Sequence, residues 1–599
     1  MVVLHETTRE YIFAIKRNRL HIRLQIIDNE PVKCKIFYWN RFHSDLIFEK
    51  SVPCVGADAS RKFHECDLDL HDTAQYIQYY FELETQGETA FWGRIGYEAN
   101  KPHYYFEYLS TAELDIIDVP RWAKGAVWYQ IFPERFYNGN VSNDPADAQP
   151  WGTPPTRENH FGGDLAGIIE KLPYLQELGT DVLYLTPVFF APSNHKYDTI
   201  DYFSIDPAFG TTQDLIELVR QCHSHGMKVV LDGVFNHIGY YSPQFQDVVE
   251  KGADSKYIDW FYIKNFPIEL EPPNYECVGY HKWMPKLRYK TKAVRDFILS
   301  VGRYWIETAD IDGWRLDVAD EVDFTFWQEF RREIKSIKPE AFLLAETWKS
   351  GLDMLRGDQM DSVMNYLFRD AVADFFATRG IDAVTFEHRI AQMLFGYSHI
   401  MRLSLYNALG SHDTARFLTM CNNDIRKFKL AIVFQMTFSG MPAIYYGDEI
   451  GIDGENDPDC RKTMDWDNVD NALRSFYIRL TSLRRKLPSL KYGDYKSVYS
   501  QKNMLAFARQ YGSETTYIII NNGEEAGVAR VPMLEDAFGI AWRQSVFSGG
   551  LIVPEPIAAS MRLHNQDIFD YKSLFKIELE AYHFEIVTIK KLCNNQEAL

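Results

Sequence analysis

The 599-residue chain predicts an α/β architecture: a TIM (β/α)8 barrel with N-terminal and C-terminal β-sandwich domains. Three observations carry this. The chain is too long for one hydrophobic core. Its middle alternates short apolar runs with amphipathic helical stretches, the signature of parallel strands joined by helices. Both ends show the two-residue period of half-buried strands instead.

Residues 1–120 read as the first sandwich. His21–Ile26 alternates polar and apolar, and similar runs recur at Lys35–Trp39, Tyr76–Leu83 and Tyr104–Tyr108. Pro120 marks the junction. Residues 121–500 read as the barrel, whose eight β-runs are VWYQIFP, VLYLTP, KVVLDGVFNH, GWRLDVAD, FLLAETW, SVMNYL, LYNALGS and AIYYGDE. Helical stretches at Leu165–Leu178, Thr212–His225, Lys292–Thr308 and Phe326–Ile337 separate some of them. The segment 238–287 is too long for a plain strand-to-helix loop and is expected to form a small excursion over the barrel mouth. Residues 501–599 return to strands with MLAFARQY, TTYIIIN and FKIELEAYHFEIVTI, and read as the second sandwich.

A net charge of -19 argues against nucleic acid and acidic membranes as partners and is compatible with a neutral ligand. Aromatics make up 15% of the chain, which suits large aromatic cores or the stacking of sugar rings. The eight Cys, from Cys34 to Cys593, form no C-x-x-C pair. Free thiols and an N-terminus without a signal-peptide pattern lead to the expectation of a cytoplasmic protein.

Reactive groups of such barrels sit where strands end. Asp232, Asn236 and His237 follow the third strand, Arg315 and Asp317 the fourth, Glu346 the fifth, and His412 and Asp413 the seventh. Three carboxylates at such ends, beside His and Arg, point to catalysis rather than to capping or surface roles. Glycosidic cleavage needs two carboxyl groups, one at the anomeric carbon and one protonating the leaving oxygen. Chemistry alone leaves Asp317 and Glu346 assignable either way round.

The strings DGVFNH (232–237), GWRLDVADE (313–321), LLAETW (343–348) and GSHDTAR (410–416) resemble the four signature regions of the α-amylase superfamily, the family-thirteen glycoside hydrolases. VWYQIFPERFYNGN, FGGDL, SNHKYDTIDYF, MPKL and GMPAIYYGDEIG extend the resemblance over roughly residues 120–480. HKYDT, MPKL and the N-terminal module point to the neopullulanase, cyclomaltodextrinase and maltogenic amylase branch.

The resemblance implies a retaining hydrolase of α-linked glucans. Asp317 becomes the nucleophile, Glu346 the acid/base and Asp413 the third carboxylate. It also implies that Arg315 orients the nucleophile, that His237 and His412 bond the sugar being cleaved, and that Tyr197 stacks on it. Asp457 and Arg461 would bind the next sugar outward, with Glu321 near the acceptor. Asp232 and Asn236 fit scaffold or contact equally, as His195 fits core or ligand. Trp260, Tyr280 and Trp283 are expected in packing rather than as sugar platforms. Asp320, the AETW string and Arg288 depart from the branch's usual Asn, GEIW and Asn, which touches substrate preference on the acceptor side.

Asn138, Asn140, Asn143, Asp144, Gly162 and Asp164 resemble a calcium loop of the branch, against the alternative of an Asn-stabilised turn. The resemblance further implies a homodimer built through the N-terminal module. A transglycosylating or debranching enzyme on the same site is the alternative. A catalytically dead glucan-binding protein is the remote one, and it should have lost one of the three carboxylates. Cyclodextrin, pullulan, starch and maltooligosaccharides are not ranked by the sequence.

Overall fold

The computed structural model describes the chain except for residues 29, 86, 114–115, 535–539, 546–553, 556–570, 572 and 592–599, so Cys593 and parts of the 501–599 segment lie outside the described residues. The first 112 residues form two antiparallel sheets, of five and six strands. Alternate residues of Arg19–Ile27, Lys33–Asn40 and Gln75–Thr85 meet between them, with Leu20, Ile22, Ile36, Tyr79 and Phe81 in the shared core. This is the pattern the two-residue period predicts.

Eight parallel strands form the barrel: β1 (Trp128–Ile131), β2 (Val182–Leu185), β3 (Lys228–Gly233), β4 (Gly313–Leu316), β5 (Phe342–Ala345), β6 (Ser362–Val363), β7 (Tyr406–Ala408) and β8 (Met441–Tyr445). Each neighbours the next in sequence and β1 pairs with β8. A parallel bridge from Met364 to Tyr406 closes the ring between β6 and β7. The strands are buried on both faces, which is why they read as unbroken apolar runs.

The crossover helices follow the sequence reading with two differences. The stretch 165–178 is two helices, Leu165–Glu170 and Leu172–Leu178, because Pro173 sits in the first turn of the second, where it needs no N–H partner. The crossover from β5 to β6 holds only the short turn Leu352–Met354. The N-terminal module covers the barrel on that side. Its Phe13, Phe63, Ile117 and Val119 belong to the barrel's own core cluster, and Ile117 packs against Gly357.

A buried ionic group fastens the two bodies. Glu65 accepts from Arg23 at 3.0 Å and from Arg402 Nη1 at 2.9 Å, and Arg402 Nε donates to the Leu394 carbonyl at 3.0 Å. Burial alone would raise the Glu65 carboxyl; the two guanidinium groups overcome it and hold the carboxyl well below its usual range.

The excursion after β3 carries the helix Pro243–Lys251, bridges back to the end of β3 through His237–Lys286 and is tied within itself by Phe261–Leu287. The C-terminal strands begin at Asp494–Gln501 and make sheets of five and three strands around Val498, Tyr517, Ile519 and Phe575. No helix among the described residues is long and apolar enough to cross a membrane.

Candidate active site

The C-terminal ends of the barrel strands bring the expected residues together around one guanidinium. Arg315, on β4 and fully buried, reaches both oxygens of Asp232 at 2.9 Å and Asp317 Oδ1 at 2.8 Å through Nη1. Its Nη2 lies 2.9 Å from Glu346 Oε2. Arg315 lies on β4 and Asp317 just past its end, and their 2.8 Å contact sets both on the same side.

Val318 then turns the chain with φ +45°, a left-handed conformation costly for a β-branched residue. That turn directs the Val318 N–H to Glu346 Oε2 at 2.9 Å. Backbone strain is thus spent beside the two central carboxyls.

Asp232 also accepts from Tyr184 at 2.7 Å and Tyr197 at 2.9 Å, so all its oxygens serve the framework. His412 stacks parallel to Tyr197, with ring centres 5.4 Å apart, and its Nε2 bonds to the Tyr197 hydroxyl. Gln130 on β1 lies 2.7 Å from His412 Nδ1 and fixes the ring from below. His237 Nε2 lies 3.1 Å from the Tyr197 carbonyl. Asp413 sits 3.3 Å from His412 Nε2 and 3.5 Å from Arg461 Nη2, and Arg461 Nη1 lies 3.0 Å from Asp457. Glu321 pairs with Lys286 at 2.9 Å, and Asn236 lies 3.4 Å from the same oxygen.

Burial pushes the Asp317 carboxyl well up; Arg315 opposes this, while Glu346, Asp232 and Asp413 add to it. Burial, then Glu346, raises Asp413 to about 7. Burial, aided by Arg461 and Arg315, keeps His412 neutral, and burial lowers His237 to about 4. Four carboxyls around one guanidinium cannot all ionise cheaply, so the cluster retains a proton near neutral pH. A site that must both present a carboxylate and donate a proton needs this balance.

These groups open into a cavity of about 510 Å3 lined also by His195, Trp283, Trp348 and Arg157. His195 is half-buried on its wall and accepts from the Tyr197 N–H at 3.1 Å. Trp260 packs in the core as expected. Trp283 and Tyr280 do not: Trp283 is 39% exposed and stacks on Tyr241, and Tyr280 is 93% exposed. Both lie on the excursion loop, where no strand or helix period places a side chain. Trp348, half exposed, stacks on Tyr366 with centres 3.9 Å apart at the rim beside Glu346.

Sequence reasoning passed over Gln130, Tyr184, Tyr366 and Arg157. Gln130 could have been found, because a polar residue inside a fully buried strand calls for a partner.

Away from the cleft, Asn138 Oδ1 and Asn143 Oδ1 are buried without a hydrogen-bond partner. Asn138 Nδ2 donates to Asp144 at 2.7 Å, and Gly162 (φ +80°) approaches Asp144 and Asn138 so closely that a Cβ would collide with both. This oxygen-rich pocket fits a hard cation. Asp164 and Asn140 also bond the backbone. Asp164 caps the helix at Gly167 N and accepts from Gly139 N and Asn140 N, and Asn140 caps the turn at Ser142. Among the described residues, no group of three or more His, Cys, Asp or Glu is disposed to hold a metal.

Three family models match the chain: "Alpha amylase, N-terminal ig-like domain" over residues 1–112, "Alpha amylase, catalytic domain" over 130–483, and "Alpha-amylase C-terminal domain" over 493–537. A cyclomaltodextrinase of Thermoanaerobacter pseudethanolicus is 41% identical over 93% of this chain and 98% of its own length. Neopullulanase 2 of Thermoactinomyces vulgaris is 42% identical over 87% of this chain and 91% of its own. A solved cyclomaltodextrinase superposes with a TM-score of 0.90 at 35% identity, covering 98% of this chain and 99% of that one. On the barrel, the site and these matches together, the chain belongs to the α-amylase family.

Proposed function

We propose that the protein is a retaining glycoside hydrolase that cleaves α-glucosidic bonds in cyclodextrins, maltooligosaccharides and related α-glucans. The observation that carries this reading is the single Arg315 guanidinium in contact with Asp317 and facing Glu346, with the Tyr197–His412 stack and Asp413 alongside.

Asp317 attacks the anomeric carbon while Glu346 delivers its proton to the leaving oxygen. The glycosyl-enzyme ester forms and the aglycone departs. Glu346, now a carboxylate, takes a proton from water, whose oxygen attacks the anomeric carbon and releases Asp317. Arg315 stabilises the ionised nucleophile, and neutral His412 and His237 bond sugar hydroxyls without adding charge. Asp413 grips ring hydroxyls and favours the oxocarbenium-like transition state. Early NMR of maltooligosaccharide hydrolysis should show the α-anomer first; initial β-anomer would overturn the double displacement.

Calcium would be held by Asn138, Asn143, Asp144 and the Gly162 carbonyl, a reading supported by the two orphaned amide oxygens. There it would tie the loop after β1 to the segment before Leu165 and stabilise the fold without entering the reaction. A cytoplasmic setting is supported by the seven described cysteines, all free thiols.

The protein pairs with a second copy through the N-terminal module, whose Phe42, Leu46, Ile47, Phe48 and Tyr104 are all exposed. Deleting residues 1–120 is a poor test of this. It would strip Phe13, Phe63 and Ile117 from the barrel core and leave Arg402 buried without Glu65. Phe42→Asp with Leu46→Asp keeps the core intact. Light scattering of that variant should show a monomer where the wild type is a dimer.

A further inference from the structure

We infer that Arg157 is a specificity-determining residue that closes the glycone end of the cleft and limits how many sugar units fit before the cleaved bond. The inference rests on the hydrolase reading above. Glu346 must face the leaving oxygen, so the leaving group extends towards β5 and its neighbour Trp348. The glycone then runs towards the opposite wall of the barrel, where the loops after β8 and β1 meet.

On that wall stands a line of alternating charges. Asp413 lies 3.5 Å from Arg461, Arg461 3.0 Å from Asp457, and Asp457 Oδ2 3.2 Å from Arg157 Nε. Side-chain exposure rises along it from 13% at Arg461 to 29% at Asp457 and 68% at Arg157, so the line runs from the reacting centre to the rim.

One feature suits this end to sugar hydroxyls. Asp457 Oδ1 is taken by Arg461, whereas among the described residues the exposed Arg157 guanidinium is engaged only through Nε, by Asp457 at 3.2 Å. Its remaining N–H donors are left for the space that a second glycone unit would fill.

The loop that carries Arg157 is held independently of its side chain. Buried Asn194 donates to the carbonyls of Arg157 at 3.0 Å and Asn159 at 2.8 Å. Thr156 N donates to Asn159 Oδ1 at 2.9 Å, and Trp151 Nε1 to the Met464 carbonyl at 2.7 Å. Removing the guanidinium opens the end of the cleft and leaves the wall standing.

The test is the bond-cleavage pattern on maltohexaose labelled at its reducing end, for wild type, Arg157→Ala and Arg157→Lys. Arg157→Ala should melt with the wild type and move cleavage towards products with longer glycones. The ratio of long to short glycone products should rise about tenfold, the worth of one charge-assisted hydrogen bond. Arg157→Lys should restore part of the original pattern. An unchanged pattern in Arg157→Ala with wild-type hydrolysis intact would overturn the inference alone. Wild-type protein that cleaves no maltohexaose would overturn the hydrolase reading and the inference with it.

Discussion

Asp413→Asn should make the protein more stable as it makes it less active, and the gain should depend on pH. In the folded chain Asp413 keeps its proton up to about 7, against 3.8 for an unperturbed group, through burial first and the Glu346 charge second. Between those values the folded state holds a proton that the unfolded state has released. Stability is therefore full below 3.8 and falls as pH rises to about 7. The span from 3.8 to about 7, at about 1.36 kcal/mol for each pH unit, sets a ceiling of ~4 kcal/mol. The side chain is 28% exposed and Arg461 stands 3.5 Å away, so solvent and counter-charge reduce this to ~1–2 kcal/mol. Asn matches the protonated acid in shape and carries no charge. Calorimetry should find the two proteins alike near pH ~4 and the variant more stable near pH ~8. Turnover on maltooligosaccharides should fall at least ~100-fold at both. A variant no more stable than wild type near pH ~8 would refute the strained-carboxylate argument.

Four further outcomes follow from the same contacts. Asp317→Asn should fold normally and lose several orders of magnitude in turnover, because an amide cannot form the glycosyl-enzyme; single-turnover assays would expose near-native rates if the role were wrong. Glu346→Gln should lose far more activity on a natural glucan than on an activated aryl maltoside, and equal losses would remove Glu346 as the acid. Chelation should lower the melting temperature of wild type but not of a variant carrying Asn138→Ala and Asp144→Ala, as read by thermal scans with and without added calcium. Glu65→Gln should cost ~3–5 kcal/mol by leaving Arg23 and Arg402 buried with one lost counter-charge, visible as a large fall in melting temperature with unchanged KM.

The fold was legible wherever a period exposes one face of an element. Eight apolar runs named the eight strands, and alternation at His21–Ile26 and Tyr76–Leu83 named the first sandwich. The carboxylates, Arg315 and His412 were legible because strand ends in such a barrel converge. Trp283, Tyr280 and Arg157 were not, because they ride on long loops with no period to say which way a side chain faces. Nor was the role of Tyr366, which depends on a stack with Trp348 from a different strand. The capping role of Asp164 was not legible from its string: beside its expected place in the calcium loop it caps the helix that begins at Leu165 and accepts from three backbone N–H groups.

The missing helix between β5 and β6 has a consequence for descent. A barrel that has given up one segment of its outer layer depends on whatever took that place, and here the replacement is encoded more than two hundred residues upstream, around Phe13, Phe63 and Ile117. Loss of the leading module from such a gene would not yield a smaller working enzyme in one step. A lineage without it should carry either a restored fifth helix or polar residues along the wall now formed by Met354, Leu355 and Phe395. The order in which those changes arose is readable by grafting them, one at a time, onto this chain.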